Sequence, residues 1–197
     1  MKAYFEKLKG SSLPPPKAGW QEITWATGGS CLALLLMGLV HSKCFSATGL
    51  PLIIAPFGAS AVLVFGAFRS PLAQPRNVIG GHVVSALVGV TVHQLYQLAL
   101  LHQPGQLAQL NQLIGGGSEA ISIALAVSLA IGFMHITGTL HPPGGATAFV
   151  AVAGGESIYN LGYWYVLSPC LAGSILMIAI SLIVNNIPSR QRYPLFW

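Results

Sequence analysis

Long apolar runs, cut by short polar or proline-bearing interruptions, set the rhythm of the chain. Ile23 to His41 is the first, nineteen residues without a charge, enough to cross hydrocarbon at about 1.5 Å per helical residue. The second, Leu50 to Phe68, is broken at Pro56-Phe57-Gly58, and a basic connection with Arg69, Pro71, Pro75 and Arg76 follows. The third runs from about Asn77 to Leu101. Residues 102–117, rich in Gln and closing on Gly115-Gly116-Gly117, read as a loop. Ser118 to Gly138 is the fourth run, with Glu119 in the first turn, where an acid suits the helix dipole. A fifth ends at the Gly154-Gly155-Glu156 loop. The sixth spans about Leu161 to Val184, between Tyr159, Tyr163, Trp164 and Tyr165 on one side and Arg190, Arg192, Tyr193 and Trp197 on the other. The predicted fold class is all-α, with about six membrane segments.

The fifth run opens on Thr139-Leu140-His141-Pro142-Pro143-Gly144-Gly145-Ala146-Thr147-Ala148-Phe149. Two prolines cannot continue a helix arriving from residue 138, whereas proline suits the first turn of a new one. The spacing therefore predicts a broken segment, with a fresh helix beginning at Pro143 or Gly144. Ala55-Pro56-Phe57-Gly58-Ala59-Ser60-Ala61 echoes it, the shared pattern being Pro-x-Gly-Ala-[Ser/Thr]-Ala. In both copies the next segment begins at a proline, Pro75 or Pro169. This reads as two three-segment repeats, about 20–101 and 117–187. An odd number of crossings would invert the second, and paired broken segments are a sequence pointer to a transporter's binding site.

Composition narrows the class. Hydrophobic residues make up 53% of the chain, charged residues 7%, and mean hydropathy is +0.67, against roughly 25% charged in soluble domains. The chain reads as an integral membrane protein, residues 20–187, with a cytoplasmic basic tail over 1–19 and a second cytoplasmic tail over 188–197. The net charge of +5 comes from cations at segment ends, a distribution that fits a lipid bilayer and excludes nucleic acid as a partner. Residues 1–19 carry Lys2, Lys7, Lys9 and Lys17 without the apolar core of a secretory signal, and a short amphipathic piece (Tyr4, Phe5, Leu8) suits the headgroup layer. If all six segments cross, these lysines, Arg69, Arg76, Arg190 and Arg192 share the cytoplasmic side and Lys43 alone is outside. Were segments two and five re-entrant, Arg69 and Arg76 would join it, which obeys the positive-inside rule less well. Cys31, Cys44 and Cys170 lack ligand spacing and read as structural.

Aspartate is absent and the four glutamates lie outside the apolar runs or at their edges. Buried chemistry must then use histidine. His82, Ser85, Gly89 and His93 form one stripe, since eleven residues at about 100° apiece return to within about 20° of the start. Ser128, Gly132, His135 and Thr139 repeat the arrangement, and Ser174, Ser181 and Asn185 approach it. Small polar stripes commonly pack membrane helices, but intramembrane histidines point to a cavity or pathway. No Gly-x-Ser-x-Gly or Ser, His and acid set supports an enzyme. No His-x-x-x-His spacing supports a metal, and no cofactor is expected. A helix N-terminus favours anions, so Gly58, Ala59 and Ser60 in one copy and Pro143, Gly144, Gly145, Ala146 and Thr147 in the other become substrate-binding candidates, with His141 and His82 as titratable donors. Arg76, Asn77, His135 and Asn185 are candidates for the pathway around them.

The Pro142–Ala148 motif with its leading His141, Phe57-Gly58-Ala59-Ser60-Ala61-Val62-Leu63, the Ser70–His82 stretch, and the closing Asn185-Asn186 and Tyr193–Trp197 together resemble the HPP family of integral membrane proteins over about residues 20–197. That resemblance implies transport: members in photosynthetic organisms are implicated in nitrite transport, in plastid envelopes and bacterial inner membranes. The family is usually described with four transmembrane segments, two fewer than the crossings expected here. Some bacterial members carry a C-terminal CBS domain; with none in this sequence, nucleotide-sensing regulation is not expected. No plastid transit peptide is apparent, so a bacterial plasma membrane is expected. The resulting expectation is transport of a small monovalent anion, nitrite first, with a homo-oligomer as a further partner. The alternatives are a non-transporting membrane scaffold and a His-based metal-binding protein assembled from His82, His135 and His141.

Overall fold

The structure, a computed structural model, describes residues 17–113, 117–188 and 192–197. The amphipathic stretch around Tyr4, Gly115, Gly116 and Arg190 lie outside the described residues. Among those described, every regular element is helical. Helix α1 is Trp20–Val40, continued by a wide turn at His41–Phe45 and a tight one at Ser46–Thr48 until Gly49, at φ 70°, diverts the chain. Helix α2 is Pro56–Ala61, prolonged by a wide turn to Gly66. A tight turn at Pro71–Ala73 precedes α3, Pro75–His102, and then α4, Pro104–Leu113. Helices α5, Ser118–Thr137, α6, Pro142–Ala153, and α7, Glu156–Tyr159, follow. A wide turn at Val166–Leu171 leads into α8, Ala172–Val184.

Two expectations need correction. Residues 102–117 are mostly helix rather than loop, because Pro104 suits a first helical turn and after Gly105 no further glycine or proline follows until Gly115. The sixth segment is not continuous. Ser168 adopts extended φ −137° and ψ 119°, as the crowding of a following proline ring demands. The break at the fifth segment is where the sequence puts it. Gly138, at φ 65°, caps α5 in the left-handed region, His141 is extended at φ −141°, and Pro142 begins α6.

Four helical stretches are long and apolar enough to cross a bilayer: Trp20–Thr48, Pro75–His102, Glu119–Thr137 and Val166–Val184. Pro56–Gly66 and the 12-residue α6 are shorter, about 16 to 18 Å each against a hydrocarbon core of about 30 Å. Leu35, Leu39, Leu129, Ile136 and Ile183 are exposed on the outside of the bundle, the pattern of helices that face lipid. All eight described charged residues, Lys17, Glu22, Lys43, Arg69, Arg76, Glu119, Glu156 and Arg192, are exposed.

Packing fixes the relative directions. Gly29 meets Phe65 and Gly38 meets Ile53, so α1 runs against α2. Phe57 packs on Gly173, and Asn185 donates to the Val64 carbonyl at 2.9 Å, so α2 runs with α8. His141 lies against Gly81 and Ala148 against Gly89, so α6 runs with α3. Arg76 donates to the Thr137 carbonyl and Ser85 approaches Met134, so α5 runs against α3. Each short helix thus lies beside the last long helix of the other half. Gly81 and Gly173 make this possible: a Cβ at Gly81 would stand 2.5 Å from the His141 Cβ, and one at Gly173 would enter the Phe57 ring.

The two ends of the bundle differ in charge. Ala18, Glu22, Arg69 and Asn185 line a cleft of about 480 Å³ at one end, where the Tyr193 hydroxyl also donates to the Ala73 carbonyl at 2.7 Å. Burial pushes that phenol up to about 12, so it stays a donor. His41, Gly49, Pro51 and Ser157 line a cleft of about 340 Å³ at the other end. Lys17, Arg69, Arg76 and Arg192 therefore gather at one end and Lys43 lies at the opposite one. The path from Pro51 to Gly66 traverses the bundle from the Lys43 end, and the path from Thr139 to Ala153 traverses it in reverse. In each, extended residues make up the length that the short helix lacks.

Candidate functional site

The two broken segments meet through side chains. Ser60, in the second turn of α2, places its Oγ 2.8 Å from His82 Nε2 and 2.8 Å from His141 Nε2. Thr147 occupies the corresponding position of α6, and its Oγ1 is 2.7 Å from His82 Nδ1. At the far side, His141 Nδ1 lies 2.7 Å from the Leu72 carbonyl, in the turn before α3. Ser60, His82, His141 and Thr147 are all fully buried. Five groups from four parts of the chain thus form one continuous hydrogen-bonded line inside the bundle.

A carbonyl can only accept, so His141 Nδ1 must carry a proton. With both rings neutral, the remaining polarity follows. His141 Nδ1–H donates to Leu72, the Ser60 hydroxyl donates to His141 Nε2, His82 Nε2–H donates to Ser60, and the Thr147 hydroxyl donates to His82 Nδ1. Every member is satisfied, which matters because an unpaired polar group in such a place costs about 1–3 kcal/mol. The walls are supplied by neighbours: the Phe57 ring stands edge-on to His82 at 4.9 Å between centroids, and the two imidazoles are 5.1 Å apart. Tyr165 donates its hydroxyl to the Thr147 carbonyl at 3.2 Å. Asn77 holds the extended leg of the fifth segment through the Leu140 carbonyl at 2.9 Å.

The candidates from the sequence divide accordingly. His141, His82, Ser60 and Thr147 come together, with Pro143 and Gly144 buried beside them. Gly144 is held tightly between Ser85, the Gly81 carbonyl and Met134. Gly58, Ala59 and Ala146 are exposed and Gly145 is half-buried, so they face away from the line. Their backbones do not offer a ready-made anion nest. The amides of Phe57 and Gly58 bond to the Ile54 and Ala55 carbonyls, and that of Gly144 to the His141 carbonyl. Arg76 and Asn77 bind the α5–α6 connection rather than the cluster. Asn185 anchors the far end of α2 at Val64.

His135 needs correction: it is exposed on α5, one turn before the Gly138 cap, and stands apart from the other two histidines. The triad of His82, His135 and His141 is not assembled, and among the described residues no three His, Cys, Asp or Glu side chains gather as metal ligands. Residue-type patterns missed the Leu72 carbonyl, because a main-chain acceptor leaves no mark in sequence. They also missed Phe57 as the wall of His82, although it stands inside the motif. His93, on the same stripe as His82, stacks on Tyr159 at 4.0 Å, and its Nδ1 has no hydrogen-bond partner.

Comparison with known proteins agrees with this reading of the motifs. A family model described as "HPP, transmembrane region" matches residues 15–194. Two curated transmembrane proteins of Dictyostelium discoideum are similar along nearly the whole chain. One is 40% identical over 194 residues, covering 98% of this chain and 57% of its own length. The other is 37% identical over 196 residues, covering 98% and 63%. The chain thus spans about three fifths of the length of these relatives. No solved structure matches it. The family match over nearly all the described helices, with apolar spans around a buried His-Ser-His-Thr line, establishes the chain as an integral membrane protein of the HPP family.

Proposed function

We propose that the protein transports a small monovalent anion, with nitrite the first candidate, across the membrane through the Ser60, His82, His141 and Thr147 cluster. The observation that carries this reading is the meeting of two broken segments, traversing from opposite ends, at a buried and continuous polar cluster. Polar groups at such depth are costly, and in membrane proteins they mark pathways. The six traversing segments alternate in direction, which supports two inverted three-segment repeats. The concentration of cations at one end supports a cytoplasmic location for both described tails.

In this arrangement the donors are turned to one another. An anion would enter by replacing the hydroxyl–imidazole bonds at Ser60, so that hydroxyl and imidazole donors take over its hydration shell. The exposed Arg69 and Arg76 would raise anion concentration at the mouth on their side. The test is nitrite uptake by purified protein in liposomes, with protein-free vesicles subtracted because nitrous acid crosses lipid unaided. Uptake that saturates with nitrite concentration is expected. Its absence from correctly folded protein would favour a second reading, a scaffold pinned together by the same self-satisfied hydrogen bonds.

A further inference from the structure

Resting on the transport reading above, we propose that the cluster is a proton site as well as an anion site, so that the protein carries one proton with each anion. The first ground is charge. All eight described Lys, Arg and Glu residues are exposed, so among the described residues no fixed positive charge stands within the bundle to meet an anion. A bare anion there would be a buried, unpaired charge, and such charges are not held without a partner. The groups facing the cluster from each packed element are few. They are Phe57 and Ser60 from α2, Leu72 from the turn before α3 and Thr147 from α6, with Ser85 of α3 and Met134 of α5 packed around Gly144 beside it. The turn before α8 adds Tyr165, with the Cys170 thiol beside it. Among the described groups around the cluster, the two imidazoles are the bases that can accept a proton.

The second ground is the hydrogen-bond geometry, which accommodates two protonation states with the same heavy-atom positions. Thr147 Oγ1 has a second acceptor within reach, the Pro143 carbonyl at 3.3 Å. When the Thr147 hydroxyl turns to it, the His82 Nδ1 lone pair is free to accept the proton that accompanies the anion. His82 Nε2–H then passes to Ser60 Oγ as the Ser60 hydroxyl proton passes to His141 Nε2. The final state has His82 Nδ1–H donating to Thr147, Ser60 donating to His82 Nε2, and a doubly protonated His141 donating to Ser60 and Leu72. One proton has entered, one positive charge rests on His141, and every donor and acceptor is still paired. The rings are 5.1 Å apart, so a second charge would be repelled and the cluster holds one proton at a time. The loaded site, imidazolium plus anion, is neutral and can reorient without moving charge across the membrane.

The full chain in liposomes, with sodium nitrite as the probe, decides this. Uptake is compared under a pH gradient at clamped zero potential and under a potential without a pH gradient, with protein-free vesicles subtracted throughout. Uptake driven by the pH gradient, with no transported charge in a current measurement, is expected. Uptake driven by the potential alone would overturn proton coupling and leave the transport reading standing. No protein-dependent uptake under either drive, and no isotope exchange, would overturn both. Ser60→Ala, which cuts the relay, should lower proton-driven uptake about tenfold, and Ser60→Thr should restore it by returning the hydroxyl. Full proton drive in Ser60→Ala would overturn the relay, and if that variant does not fold, the wild-type arms decide alone.

Discussion

The two broken helices solve one packing problem in the same way and differ in the chemistry they carry. Each begins at a proline, lies beside the last long helix of the other half, and is admitted there by a glycine, Gly173 for α2 and Gly81 for α6. Each contributes a hydroxyl at the matching position, Ser60 and Thr147. The histidines do not follow this symmetry. His141, two residues before Pro143, has its counterpart in the buried, apolar Ile54. His82 follows Gly81 as Ser174 follows Gly173, yet the Ser174 hydroxyl is spent on the Leu171 carbonyl of its own chain segment. The shared features are those that packing demands of both halves. The chemistry is concentrated where α3 meets α6, and α2 supplies only the central link. A repeated backbone can thus carry a site that is not repeated, because the histidines stand in one copy only.

The sharpest way to break this comparison is all-or-none. In a background lacking Cys31, Cys44 and Cys170, Arg69→Cys should react with an impermeant thiol reagent from the cytoplasmic side only, and Lys43→Cys from the outside only. Reaction of both from one side would return α2 to a re-entrant hairpin and remove the inverted relation. Next in size are the admitting glycines. Gly81→Ala and Gly173→Ala should each destabilise the protein by about 2–3 kcal/mol, since the added carbon meets a backbone-bound neighbour or a ring that cannot retreat. Gly58→Ala, with nothing within 4 Å of the new carbon, should leave thermal unfolding in detergent unchanged.

The polar positions should then separate by how many partners each loses. Ser60→Ala strips a partner from both imidazoles and should weaken apparent nitrite affinity most. Thr147→Val removes one hydroxyl from the loaded site, a loss of about 1.5–3 kcal/mol, or roughly ten- to a hundred-fold in apparent affinity. Ser174→Ala, at the position that matches His82, should fall within about 0.5 kcal/mol of wild type in stability, with affinity unchanged. An effect of Ser174→Ala equal to that of Thr147→Val would mean that both halves carry chemistry. Smallest of all is His135→Ala, for which unchanged flux and melting are expected from an exposed side chain.

Much of the fold was legible in the sequence. Apolar run length, the prolines at 56, 75, 142, 143 and 169, and the glycine at 138 determine where helices start and stop, because these residues act on their own backbone and need no partner. The interrupted segments and the four residues that form the cluster were legible for the same reason: histidine or hydroxyl in an apolar run is conspicuous wherever it stands. Local pattern could not say which of those residues meet. His82 and His135 read alike as histidines on small-residue stripes, and only the crossing of α3 with α6 turns one inward while α5 leaves the other outside. Nor could sequence reveal that the Leu72 carbonyl sets the tautomer of His141, or that the helix-start amides are already paired. Those facts depend on main-chain atoms that every residue possesses alike. Only the packing of segments some seventy residues apart decides which of them are spent and which remain to do chemistry.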